Sequence, residues 1–468
     1  MSKNFNKSEL PEKHLNVILT SLSSVLGTTT LKQLGLVMQA LIVMTGRVTM
    51  LGISRWCEEG GSYRTVQRLF NTSILWHELQ WCLIRHHLHD EEDVYLLAGD
   101  EVVVSKSGKQ SHGLDRFFSS LQGRPIKSLC FFSLSLISVK RRQSYPLLAK
   151  QVIRSKEEAD SETKATKQKQ VKQSRNKTAK KTTKETTKEA AKKRGRPPGS
   201  KNKDKVKVEL SAYLVFVKDL VVKVLSLTSP LLKLKYFVCD GAYGSNDVVQ
   251  LAQQAGLSLI SKLKSNSALY FPYKGKQKAK GAKRIYGDKL DYQHIPGKHL
   301  QRSTITKNIQ TDIYQLNLRH KNFPQLLNIV IIVKTNLKTK ARAHVVLFSS
   351  DLSLSYDKLI DYYALRFQIE FNFRDAKQFW GLEDFMSIKE RPIHNAANLS
   401  LFMVTVSKVL LQPQKTINPD FSVLDLKAHA RAYRYAFEAL KLLPLKPKPF
   451  LIDHVLNNFP KLGAIRRL

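Results

Sequence analysis

The sequence predicts an α/β protein: a mixed sheet flanked by helices, with a helical N-terminal domain and a β-rich insertion. Three observations carry that prediction. Residues 1–90 hold only helix-spaced apolar positions, cut at Gly27, Gly46 and the Gly60-Gly61-Ser62 turn. From Glu92 the texture changes to strand-like runs, first three at hairpin spacing and then strands alternating with helices. Finally, Tyr356 to Trp380 runs 25 residues without Pro or Gly and reads as one helix of about seven turns.

Taken in order, the N-terminal helices fall at Leu15–Leu26, Leu31–Met44, Val48–Glu58, Tyr63–Phe70 and Ile74–His89. Ser62 is a helix start that puts Arg64 and Arg68 four residues apart on one face, where they either lie along DNA or decorate an ordinary bundle. Val94–Val104, Ser128–Lys140 and Ser144–Ile153 are the strands that open the sheet. Lys106, Lys109, His112, Arg116 and Arg124 make a basic loop between the first two. The α/β half follows as a helix (Ala212–Leu227), a strand ending in Asp240, a helix (Asn246–Ala255) and a strand (Leu257–Leu263). Strands then dominate at Ala268–Phe271, Ile313–Arg319, Leu327–Val333 and His344–Ser349, where Tyr314, Leu316 and Leu318 alternate with Gln315 and Asn317. A helix at His394–Leu411 precedes a basic, Pro-interrupted helical end.

These shifts divide the chain into a helical N-terminal domain (1–90), three parts of an α/β core (91–154, 209–264 and 346–411), a basic linker (155–208), a β-rich insertion (265–345) and a C-terminal region (412–468). The linker carries 19 Lys+Arg against 7 Asp+Glu and almost nothing apolar, so it is expected to be disordered. Inside it, Arg194-Gly195-Arg196-Pro197 resembles an AT-hook, with both arginines directed along the minor-groove floor; a plain basic tether is the other reading.

The whole chain of 468 residues has a formal charge of +39, which favours a polyanionic partner, nucleic acid first. No amphipathic basic helix or lipidation motif supports a membrane surface, and the greasiest run, Leu34–Ile53, holds Gln39 and Arg47. The four cysteines form no CxxC pair and read as reduced thiols of a cytoplasmic, nucleoid-associated protein.

On a wheel of the 356–380 helix, Tyr363, Arg366, Glu370 and Lys377 share a sector of about 60°, opposite Leu365, Ile369, Ala376 and Phe379. Alone, that face is compatible with a solvated i, i+4 ion pair. The spacing Y-x2-R-x3-E-x6-K, however, resembles the YREK signature of bacterial insertion-sequence transposases, DDE enzymes with a ribonuclease-H-like core. That resemblance requires two earlier aspartates on apolar strands. Asp100 stands in VYLLAGDEVVV, and Asp240 closes YFVCD before GAYGS, which looks like the family's Asp-Gly-x-Tyr motif.

The resemblance implies a ribonuclease-H-like α/β fold, cleavage at transposon ends and strand transfer into target DNA. It also implies a homodimer on the two DNA partners. Three acids brought together need a cation, and an oxygen-only set suits two Mg²⁺ or Mn²⁺ ions held by Asp100, Asp240 and Glu370. By position Tyr363, Arg366 and Lys377 inherit contacts to the transposon-end strand around a flipped base. No Trp lies in the insertion, so a stacking aromatic there would be Tyr270, Tyr273, Tyr286 or Tyr292. A transposase-derived DNA-binding protein without catalysis, and a nuclease without strand transfer, are the competing functions.

Overall fold

The computed structural model describes residues 11–154 apart from 59 and 121, and residues 205–459 apart from 207 and 446. The linker with its hook motif therefore lies almost entirely outside the described residues. Five helices come first: α1 (Pro11–Leu22), α2 (Thr28–Val43), α3 (Met50–Trp56), α4 (Tyr63–Asn71) and α5 (Trp76–His87). Thr49 and Ser62 cap α3 and α4 by accepting the backbone N–H groups of Gly52 and Thr65.

The core of the sheet is built from β1 (Tyr95–Ser105), β3 (Arg124–Ser138), β4 (Gln143–Val152), β5 (Tyr236–Cys239) and β6 (Ser258–Leu263). Across the sheet they run β4-β3-β1-β5-β6; the first two pairings are antiparallel and the last two parallel. This is the ribonuclease-H-like arrangement expected from the sequence. Helices α6 (Ala212–Thr228) and α7 (Asn246–Gln254) make the crossovers around β5. Residues Ser128–Ser138 of β3 are buried without a break, because both faces of the sheet are covered.

Strand alternation sorts β1 between the two covers. Leu96, Ala98, Val102 and Val104 join the cluster that contains the N-terminal helices, whereas Tyr95 and Leu97 join the cluster of α6 and α7. Asp100 therefore belongs to the first face and Glu101 to the second.

Strands β7 (Leu269–Pro272), β8 (Tyr286–Lys289), β9 (Leu300–Thr306), β10 (Ile309–His320), β11 (Leu326–Asn336) and β12 (Arg342–Ser349) extend this same sheet. β12 pairs directly with β6, and the order continues β12-β11-β10-β7-β8 with β9 beside β10, giving 12 strands with β2 (Asp115–Ser119) on the far edge. β2, β8 and β9 have no counterpart among the expected strands, and β2 lies in the 106–124 stretch that reads from sequence as a basic loop.

The expected single helix over 356–380 is corrected. It is two helices, α8 (Tyr356–Leu365) and α9 (Gln368–Phe379), broken at Arg366-Phe367. There the backbone tightens to three-residue bonds: Arg366 N–H to Tyr363 O, Phe367 N–H to Ala364 O, Ile369 N–H to Arg366 O and Glu370 N–H to Phe367 O. Next comes α10 (Glu390–Ile417), which packs against both the sheet and the N-terminal helices. Asn395 on α10 accepts the Trp76 indole N–H at 2.8 Å and donates to the Phe70 and Thr72 carbonyls at 2.8 Å. Beyond it, α11 (Val423–Lys441) places Lys427 and Arg431 on the Leu41 and Val43 carbonyls at the end of α2, before α12 (Pro449–Asn458). Among the described residues, no helix is long and apolar enough to cross a membrane.

Candidate active site

The parallel ladder between β1 and β5 ends at the pair Gly99 and Cys239, one residue short of both Asp100 and Asp240. Gly99 is required by its neighbours: an added Cβ would lie 2.9 Å from the Phe132 ring and 3.0 Å from Phe237. Asp240 caps the short 3-10 turn Gly241–Tyr243, its Oδ1 accepting the Ala242 N–H at 2.5 Å. Its carbonyl accepts the Ser261 hydroxyl at 2.7 Å, fixing the turn to β6. Gly244 lets that turn lie against β6, since a Cβ there would be 2.4 Å from the Lys262 carbonyl oxygen.

Glu370 sits in the first turn of α9, and the helix break aims Arg366 at the sheet. The Arg366 guanidinium donates from Nη1 to Asp100 Oδ2 at 3.3 Å and from Nη2 to Glu370 Oε1 at 3.1 Å. It is only 12 % exposed, so this bridge is largely screened from water. Burial pushes the Asp100 carboxyl up to about 6. Arg366 opposes that rise and the charges of Asp240 and Glu370 add to it, so the three acids occupy one electrostatic site. Across from Asp100 on β3, the buried Ser133 hydroxyl has no partner among the described residues, and neither does Arg366 Nε.

The donor set is oxygen-only, the chemistry a hard divalent cation fits. Among the described residues, however, no three His, Cys, Asp or Glu side chains are gathered closely enough to hold an ion. A guanidinium stands between the acids instead. Lys377, expected beside Arg366 on a phosphate, donates to the Val103 carbonyl at 2.9 Å and pairs with Glu383 at 2.7 Å. Tyr363 is half-buried, its ring 5.9 Å from the Arg366 guanidinium. Arg64 and Arg68 are exposed on α4, away from the acids in sequence and element, while Arg194 and Arg196 lie outside the described residues. In the expected insertion Tyr292 stacks on His344 at 4.5 Å, Tyr270 meets Tyr286 edge-on at 5.5 Å, and Tyr273 lies under Arg284 at 4.5 Å.

Two groups hold roles that the sequence does not assign, the first of them from the expected basic loop. Lys106, which leaves β1, donates to the Glu383 and Phe385 carbonyls at 3.1 and 2.7 Å, holding the turn after α9. On the other face of β1, Tyr213 donates to Glu101 at 2.5 Å and its oxygen lies 2.7 Å from the Tyr243 hydroxyl. Tyr243 stood in the quoted Asp-Gly-x-Tyr stretch and Glu101 beside Asp100; Tyr213 left no signal, because only folding brings α6 to them. A cleft of about 940 Å³ opens beside the Asp240 turn, lined by Gly241, Gly244, Lys262, Lys264 and His320.

A ribonuclease-H-like sheet with acids one residue past the parallel ladder of two adjacent strands, and a third on a helix bridged to the first, is the geometry in which a nucleic-acid-cutting site would be sought. The chain belongs to the DDE superfamily endonuclease family, whose profile matches residues 21–317, more than half of its length. That membership carries DNA as substrate, a nuclease- or transposase-like function and general use of divalent metals. The matched region contains Asp100 and Asp240 and stops before Glu370. No curated protein matches the chain.

Proposed function

We propose that this protein is a cut-and-paste DNA transposase of the YREK insertion-sequence group, with Asp100, Asp240 and Glu370 as its metal ligands. The observation that carries the reading is the Arg366 bridge: one guanidinium joins Glu370, four residues along the chain, to Asp100, 266 positions away, beside the charge of Asp240. Acids with a purely structural role have no reason to share one cation just beyond a parallel ladder.

Asp100, Asp240 and Glu370 would hold two Mg²⁺ or Mn²⁺ ions, whose charge would stabilise the transition state and acidify the attacking hydroxyl or water. The chain's own residues do the rest. Arg366 and Lys377 turn from their present acidic partners, Asp100, Glu370 and Glu383, to DNA phosphates, as fork and point charge respectively. Tyr363 contacts the transposon-end strand, and the lysines of the cleft beside Asp240 neutralise backbone phosphate. The exposed Arg64 and Arg68 of residues 1–90 and the Arg194–Arg196 motif of the 155–208 linker add sequence-tolerant and minor-groove contacts. The segment 265–345 acts as the insertion, residues 412–468 as the C-terminal region, and two copies pair on the DNA ends in the nucleoid.

The test is Mg²⁺-dependent nicking and strand transfer by purified protein on duplexes taken from the DNA flanking its gene. Cleavage at matching inverted repeats, followed by joining to a plasmid, is the expected result. Cleavage without joining reduces the function to a nuclease, and binding without cleavage to a DNA-binding protein.

A further inference from the structure

We propose that Tyr243, Tyr213 and Glu101 form a positioning relay that sets the separation of Asp100 and Asp240 from the back of the sheet. The inference rests on the metal-ligand reading above and adds residues to it. Backbone pairing ties β1 to β5 only as far as Gly99 and Cys239; beyond it Asp100 is held by β3 and Asp240 by its own turn, so no β1–β5 pairing spans the two acids. Asp100 and Glu101 point to opposite faces, and the tie appears on the second face.

The hydrogen-bond directions follow from proton count. Glu101 is acceptor-only when ionised, so the Tyr213 hydroxyl gives it its one proton at 2.5 Å. Tyr213 oxygen then accepts from the Tyr243 hydroxyl at 2.7 Å. Tyr243 ends the turn that Asp240 caps, with its N–H on the Asp240 carbonyl at 3.1 Å. The relay thus runs from the Asp240 turn through α6 to the residue next to Asp100. Phe132, the cross-strand partner of Glu101, fixes both phenol rings edge-on at centroid distances of 6.4 and 6.1 Å. The tyrosines act through the acids and touch neither substrate nor ion.

The experiment compares Tyr213→Phe, Tyr243→Phe, Glu101→Gln and Glu101→Ala with the wild type. Mn²⁺ affinity is read by electron paramagnetic resonance on the DNA complex, beside cleavage rate, DNA affinity and thermal unfolding. Phe keeps the ring packing and removes only the hydroxyl. Tyr213→Phe is expected to weaken Mn²⁺ binding and cleavage together by about 10–100-fold, the usual cost of losing an orienting partner, with DNA affinity unchanged. Glu101→Gln keeps an acceptor oxygen and stays near wild type, whereas Glu101→Ala falls with Tyr213→Phe. Wild-type Mn²⁺ affinity in both Phe variants overturns the relay, and equal losses in Gln and Ala overturn it in favour of the Glu101 charge. If Tyr213→Phe does not fold, Tyr243→Phe breaks the first link alone and decides the matter. Asp240→Asn is the control: wild-type Mn²⁺ binding there overturns the ligand assignment itself, whatever the relay does.

Discussion

Replacing Arg366 by Gln tests the electrostatic centre of the molecule. Two ion pairs at 3.3 and 3.1 Å are lost. At an effective dielectric near 20 each attracts by about 5 kcal/mol before desolvation. Most of that is offset by stripping water from the charges, and breaking a buried pair typically costs about 3–5 kcal/mol. Because the Glu370 side chain is 41 % exposed, its share is discounted, leaving a net loss of roughly 2–3 kcal/mol. The variant also leaves the half-buried Asp100 carboxylate facing two others, an arrangement that recruits a cation. Urea unfolding without DNA, with and without Mg²⁺, reads both effects. Wild type, whose guanidinium competes with the ion, gains little from Mg²⁺. The variant recovers most of its deficit, since ligand a hundredfold above its Kd adds about 2.7 kcal/mol. A variant within about 0.5 kcal/mol of wild type, or an identical Mg²⁺ response, refutes the idea that Arg366 holds the place of the metal.

Glu370→Gln is expected to abolish Mg²⁺-dependent cleavage while end binding, measured by gel shift, is retained; undiminished cleavage removes Glu370 from the ligand set. Asn395→Ala leaves the Trp76 indole and two buried carbonyls without partners and should cost about 2–5 kcal/mol in urea unfolding. Lys408 is half-buried, with its ammonium on the Asn372 side-chain oxygen, and desolvation lowers it to about 7. The unfolded chain then binds the extra proton between about pH 7 and 10, so stability rises with pH across that window; Lys408→Met should flatten the rise in a series of unfolding curves. Replacing residues 155–204 by a short Gly/Ser linker should leave folding intact but flatten the salt dependence of DNA binding by roughly 3–4 in log–log slope if four contacts are lost. Arg196→Ala alone should reduce preference for A·T-rich duplex, and equal losses on both duplexes would make the motif a tether.

The strands that carry the first two acids were legible because each is an apolar run buried on both faces, which survives any choice of neighbours. The order of elements was legible for the same reason. What was hidden depends on partners far off in the chain. The wheel that grouped Tyr363, Arg366, Glu370 and Lys377 assumes constant pitch, and the break at Arg366 comes from a local tightening while that residue bridges to Asp100. Strand β9 is nearly all exposed, so it has no apolar alternation to read. Lys377 carried no mark of its bond to Val103, since a backbone carbonyl leaves no trace in side-chain patterns.

The turn after α9 has a consequence for how the molecule can be cut and recombined. Gly381 adopts φ +77, with an added Cβ meeting Val48 at 2.2 Å, while Asp384 accepts the Val48 N–H at 3.0 Å. Lys106 and Lys377 hold the same turn from the strand and helix that carry two of the acids. Residues 47–48 and 381–385 are therefore one mortise, cut from two distant stretches of chain. A chimera that takes its first ninety residues from a relative must import the matching 381–385 turn as well. Otherwise the misfit is delivered straight to the helix that bears Glu370.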